Sequence, residues 1–381
     1  HPLGTLGEPE SRADVVRSMV DTYVDGGWLD KCSWHASGYS RVMTGNPQIA
    51  VIADSWVKGL DDFDPDLAWE AMEKTSNEET EQDFDGLCGY FGLGTPPEYI
   101  EAGWVGDECD PTQAASMTLE IAYADHCMAE VAALTGRTEA EAIFREREAS
   151  WANQWNPAYG FMQSRSRDGT WVEPFDPADD GDWNGFVEST SWIFSFFVPH
   201  DVPGLIGLYG GEAAFLARLD EYFDGGHHDV GNEPGFHVPW LYNYAGRPSS
   251  AQARVREVVE ATFDATPGGL PGNDDSGAMS AWLVLAALGL YPVSPGDPEY
   301  QISTPLLRSA TIHLHPGYCE GLTFTVETEG AAGDEYIQSA TLDGVPLDRP
   351  YVTHDEVTAG GVLHLVLGPA PSDWGAANPS T

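Results

Sequence analysis

Two adjacent carboxylates, Asp274 and Asp275, lie in the run GGLPGNDDSGAMSAW at 268–282. Glycines there let the backbone turn tightly just before an apolar stretch. A carboxylate at that position caps free helix N–H groups and suits the helix dipole, but a cap needs only one acid. Upstream, Glu188 opens the aromatic run FVESTSWIFSFF at 186–197. A carboxyl among Trp192, Phe194, Phe196 and Phe197 would be poorly solvated, the setting that keeps a general acid protonated; an exposed acid at a helix start is the plain structural reading. Asn232 and Glu233 stand between Gly231 and Pro234 in DVGNEPGFH at 229–237. They are hard oxygen donors of the kind calcium takes, in a segment that also reads as a polar Asx-Pro turn. His227 and His228 read as loop residues rather than ligands. Three loops bearing carboxylates suggest glycoside hydrolysis, in which one acid protonates the leaving oxygen, one base activates water and a third site holds a metal or sugar hydroxyls.

The elements that must position these loops are mostly helices. Apolar spacing predicts helices over 12–25, 49–60, 66–76, 112–134, 139–154, 186–197, 211–223, 236–245, 250–263 and 276–290. Helices in antiparallel succession, with Gly, Trp, Asp and His in their loops, suggest an α/α toroid. After Pro292 the texture changes to alternating segments such as ATIHLHP, LTFTVETE and GVLHLVLG. The fold class read from this is mostly α with a β-rich C-terminal part. The expected domains are a helical region over 1–299, a β-rich segment over 300–370 and a tail over 371–381, with sheet edges that need covering. Trp28, Trp34, Trp56, Trp104 and Trp171 fall at loops or helix ends, as a sugar-stacking rim or as buried anchors.

Sixty-one acidic against seventeen basic residues give a net charge of −44. Nucleic acid and anionic membrane are excluded as partners, because phosphate binding needs a basic face. No stretch approaches the eighteen apolar residues of a membrane span. The first residues carry no signal-peptide pattern, so the chain is not an intact secretory precursor. The balance fits a secreted or periplasmic protein, with a cytoplasmic one as the alternative. The five cysteines show neither zinc spacing nor a readable disulfide framework.

Long blocks resemble the C-terminal part of glycoside hydrolase family 92, the calcium-dependent inverting exo-α-mannosidases. They include VIADSWVKGLDDFD (51–64), TLEIAYADHCMAEVA (118–132), GFMQSRSRDGTW (160–171), GNEPGFHVPWLYNYAGRP (231–248) and LPGNDDSGAMSAWLVLAALGLYPVSPGDPEYQISTPLLRSATIHL (270–314). The resemblance implies an (α/α)6 toroid, here incomplete at its N-terminus, whose mouth binds a terminal mannose of a mannose-containing glycan. It makes Asp275 the general base and Glu188 the general acid. It puts Asn232 and Glu233 near the calcium, and gives Asn273, Asp274 and His237 roles in positioning substrate or water. An inverting pair stands roughly 6.5–9.5 Å apart to admit that water. The resemblance also implies an N-terminal β-sandwich, absent here, as a partner that completes the site.

Departures from the family pattern fall around the leaving group. The acid segment reads ESTSWIF where the family has E-G-N-A-W-Q-Y. Val230 stands where members cleaving α-1,2 links carry His, and Gly235-Phe236-His237 replaces Ser-His-His. These changes point to another linkage or a mannosyl phosphate. A fragment or degenerate member that binds mannose without turnover is the reading from a different class.

Overall fold

A computed structural model of the chain describes residues 1–31, 39, 43–80 and 93–380. Its helices are α1 (Pro2–Gly7), α2 (Pro9–Gly26), α3 (Pro47–Val57), α4 (Pro65–Asn77), α5 (Pro97–Ala102), α6 (Ala114–Leu134), α7 (Thr138–Arg147), α8 (Ser191–Phe194), α9 (Val202–Tyr209), α10 (Glu212–Asp224), α11 (Pro248–Thr262), α12 (Ala278–Leu288) and α13 (His354–Thr358). The strands are β1 (Trp155–Asn156), β2 (Phe161–Met162), β3 (Leu290–Tyr291), β4 (Glu299–Ile302), β5 (Ser309–His313), β6 (Thr323–Glu329), β7 (Tyr336–Leu342), β8 (Val345–Pro346), β9 (Tyr351–Thr353) and β10 (Gly361–Gly368). The chain is thus helix-rich with a C-terminal sheet part. It forms two compact units, one of Glu10–His200 with Pro295–Asp297 and one of His1–Pro9, Asp201–Ser294 and Pro298–Thr381.

In the first unit α6 is the central element. It is apolar nearly all round and buried over most of its length, as such a helix must be. Val16, Val20, Ile49, Ile52, Trp69, Met72, Met128 and Phe144 from α2, α3, α4, α6 and α7 make one core. Polar residues buried on α6 are paired. Asp125 meets Arg147 at 2.8 Å and accepts a hydrogen bond from the Tyr99 hydroxyl at 2.9 Å, which offsets the cost of burying its charge. Lys58 and Asp54, with fully buried side chains, pair at 2.7 Å.

The second unit carries two sheets. One has the strand order β5-β6-β10-β7-β8, antiparallel except where β10 runs parallel to β6. The other is β3-β4-β9. Leu363 lies opposite Val326 on one side and Leu342 on the other. Alternate residues Phe324, Val326, Ile337, Leu363 and Leu365 are buried with Leu6 and Tyr300, the period-two pattern of a half-covered sheet.

Several predicted helices differ from those observed. The helix over 186–197 is reduced to α8, because the hydroxyls of Ser191 and Ser195 bond to the backbone of a neighbouring strand instead of facing solvent: Ser191 Oγ donates to Met162 O at 2.5 Å, and Met162 N donates to Ser195 Oγ at 2.9 Å. The helix over 236–245 is a 3-10 segment, Val238–Asn243; Pro239 supplies no N–H. The helix over 276–290 ends at Leu288, where Gly289 adopts φ 73, and Leu290–Tyr291 is a strand. Cys109 is disulfide-bonded, while Cys127 and Cys319 are free thiols. Cys32 and Cys88 lie outside the described residues.

Candidate active site

Asp274 and Asp275 hold different things. Asp274 turns back onto α12: its Oδ1 accepts from Ser280 N and its Oδ2 from Ser280 Oγ, both at 2.9 Å. Its carbonyl accepts from Gly277 N at 2.9 Å and Ala278 N at 2.6 Å. Asp274 therefore satisfies N–H groups that a helix start leaves open. Asp275 is exposed, and its backbone is left-handed at φ 39, followed by Ser276 at φ 59. Side chains other than glycine pay roughly 1–2 kcal/mol there.

Asn232 and Glu233 sit on a turn that abuts this one. A Cβ added to Gly272 would lie 2.4 Å from Gly231 O, so only glycine permits the approach. Asp229 Oδ1 accepts from Gly231 N at 2.6 Å, and Asn232 Oδ1 from Glu233 N at 3.1 Å. Trp282 Nε1, from α12, donates to Phe236 O at 2.9 Å and ties the end of this turn down. Asn273, Asp275 and Glu233 are exposed and Asn232 half-exposed. The set is one of hard oxygens only, a composition that fits calcium. His237 is 5% exposed and Val230 2%, so His237 stands behind the turn rather than on its surface. His228 lies beside it: its Nδ1 bonds Tyr222 OH at 3.1 Å. Burial, then the nearby His237, lowers its pKa to about 3.

Glu188 belongs to the other unit. It precedes α8 and is exposed, as an acid at a helix start is, rather than poorly solvated. Trp192 packs instead edge-to-face on Phe161, with centroids 4.7 Å apart. The turn carrying Glu188 is held on both sides: Val187 N donates to Ser116 Oγ at 3.1 Å, and Asn184 Nδ2 to Ser189 O at 2.9 Å. Glu188 adopts φ 48. Among the described residues only Met43, Glu188, Asp275, Ser276 and Asp343 combine a side chain with positive φ. Asp343 has a local reason, the two-residue turn with Gly344 between β7 and β8. Glu188 and Asp275 lie in no such hairpin, and strain of this kind gathers at functional sites.

The tryptophans divide. Trp56 is 7% exposed and packs on Phe63. Trp104 and Trp171 each meet the guanidinium of Arg165, at 4.3 and 4.8 Å, and Lys74 stands 4.5 Å over Trp28. Trp34 lies outside the described residues.

A cluster the sequence reading did not single out lies on α6. His126 Nδ1 is 2.9 Å from Glu148 Oε2 and its Nε2 is 3.0 Å from Asp297 Oδ1. Arg145 holds Glu130 at 2.5 Å and Glu148 at 3.2 Å. Burial opposes a charged imidazole, but Asp297 and Glu148 outweigh it and raise His126 to about 10. His200, tilted against His126 with centroids 5.4 Å apart, is lowered to about 4 by burial and then by the His126 charge. The available signal was the spacing His126-x3-Glu130, which puts both on one helix face.

The model of the glycosyl hydrolase family 92 catalytic domain matches residues 1–369. A secreted glycosidase of Arthroderma benhamiae is 34% identical over 98% of this chain and 51% of its own length. An inverting family 92 mannosidase of Bacteroides thetaiotaomicron superposes with TM-score 0.88 at 32% identity, covering 100% of this chain and 53% of that one. A family 92 α-mannosidase of the same organism, solved with mannoimidazole, gives TM-score 0.89 at 30% identity over 99% of this chain and 50% of that one. The chain thus spans about half the length of these relatives.

Proposed function

Because the chain belongs to glycosyl hydrolase family 92, we propose that it is the larger part of the catalytic region of an exported, inverting exo-α-mannosidase. The domain reading that goes with this is an (α/α)6 toroid over 1–299, followed by a β-rich segment over 300–370 and a tail. The observation that carries the reading is the left-handed backbone of both Glu188 and Asp275, at the two positions the family resemblance makes acid and base. In this mechanism Asp275 takes a proton from water, which attacks the anomeric carbon on the face opposite the leaving oxygen, while Glu188 gives its proton to that oxygen. One acid and one base, each acting once, give inversion.

Asp274, bound to Ser280 through both oxygens, does not compete for the base's role; it fixes the start of α12 and so the direction of Asp275. Asn273 is the exposed neighbour suited to hold the attacking water. Asn232 and Glu233 are the residues that would hold calcium, which supplies Lewis-acid contacts to ring hydroxyls when bound. His237, being buried, acts by supporting the Asn232–Glu233 turn. The relatives' remaining length, a β-sandwich in the family resemblance, is the partner that would complete the sugar pocket. The substrate class is a terminal α-mannoside. Val230 and the ESTSWIF segment favour a leaving group other than an α-1,2-linked mannose, another linkage or a mannosyl phosphate.

Mannose release from α-mannosides by the chain joined to that remaining region tests the reading. Turnover should require added calcium and vanish with EDTA. Glu188→Gln should lower kcat about 10²–10⁴-fold on an alkyl mannoside and far less on one whose leaving group needs no proton. Full activity after calcium removal, or equal loss on both substrates, contradicts the mechanism. Mannose binding by calorimetry with no turnover on any mannoside would support the degenerate-member reading instead.

A further inference from the structure

We propose that His126, Glu130 and Asp297 form a site for a first-row divalent metal, zinc in preference to manganese, separate from the calcium turn. The three residues present ligand atoms within 4.8 Å of one another. His126 and Glu130 are one turn apart on α6, and Asp297 comes from the segment Pro295–Asp297 laid against that helix. Four contacts fix the segment. Gly296 N donates to Asp54 Oδ1 at 3.1 Å, Tyr123 OH donates to Pro295 O, Cys127 Sγ meets the same carbonyl at 3.5 Å, and Asp297 meets His126. A ligand from a distant part of the sequence is therefore held in place by its neighbours Pro295 and Gly296 as well as by its own side chain.

The second observation is the orientation of the imidazole. Glu148 faces Nδ1, the carboxylate–histidine arrangement that fixes the tautomer of a metal-binding ring and leaves Nε2 as the ligand. That Nε2 points at Asp297. The charges agree with a dication. Glu130, Glu148 and Asp297 are three acids facing Arg145 and the imidazole. With imidazolium the group carries one excess negative charge; with a neutral imidazole and a divalent ion it carries none. On binding, Nε2 releases its proton to solvent and the metal takes that place. An imidazole with two carboxylates suits zinc or manganese rather than calcium, and zinc is bound the more tightly of the two. Access is from the Glu130 and Asp297 side, where the side chains are 27% and 35% exposed against 8% for His126.

Protein stripped with chelator and titrated with zinc chloride alone near neutral pH should show one saturable site, with an enthalpy that changes with buffer because a proton is released. Manganese should bind the same site more weakly, and excess calcium should not displace zinc. Asp297→Asn should weaken zinc at least about tenfold, and Glu148→Gln about 10–100-fold, as outer-shell partners do, with the helical circular dichroism of both unchanged. Glu130→Gln serves if either variant misfolds. No saturable zinc binding, or equal affinity in wild type and Asp297→Asn, overturns the proposal and leaves the cluster an ion pair network.

Discussion

Asp274 and Asp275 are neighbours in sequence but differ in backbone angle and in what their carboxylates hold, and the difference can be measured. Asp274→Ala removes both contacts to Ser280 and should cost about 1 kcal/mol, the usual loss of a helix cap. Asp275→Gly relieves a left-handed backbone and should gain about 1 kcal/mol while abolishing turnover. Urea denaturation of the two variants reads both numbers; a destabilised Asp275→Gly would make that residue structural. The candidates themselves were legible, because acids between glycines at a helix entrance are few and the family blocks fix their positions. The strain at Glu188 was not legible, since its turn is held by a contact distant in sequence, Val187 N donating to Ser116 Oγ. The exposure of Glu188 agrees with the plain reading of an acid at a helix start, not with the poorly solvated one that the neighbouring aromatic residues also allowed.

Elements were readable where one face or every face is apolar. The helices over 12–25, 66–76, 211–223 and 250–263 match α2, α4, α10 and α11 to within a few residues. They failed where side chains bind backbone, as in α8, or where proline and glycine interrupt, as over 236–245 and after Gly289. The five-stranded sheet was foreseen as alternating segments, but not its parallel pair β6–β10, which no local pattern encodes.

The turn after α10 yields a prediction at this scale. His228 has a folded pKa of about 3 against an ordinary 6.5, from burial and then His237; its Nε2 is buried. The folded state therefore binds fewer protons than the unfolded chain below pH 6.5. Stability present above pH 6.5 is lost as pH falls through the window toward 3. Melting temperature followed from about pH 7 to about pH 4 should fall more steeply in wild type than in His228→Leu. Parallel slopes would show that His228 is not kept neutral by the fold.

At the scale of the whole molecule, the chain spans about half the length of its relatives, and Glu188 and Asp275 belong to different compact units. A net charge of −44 disfavours a polyanionic ligand such as a nucleic acid. The proposed function has these two acids act as a single-displacement pair on an α-mannoside. Proton NMR of the first-formed sugar, recorded before mutarotation with the chain completed by the remaining region, tests it most directly. The wild-type protein should release β-mannose first and Asp275→Asn none; α-mannose first, or undiminished release from Asp275→Asn, would rule the single-displacement pair out.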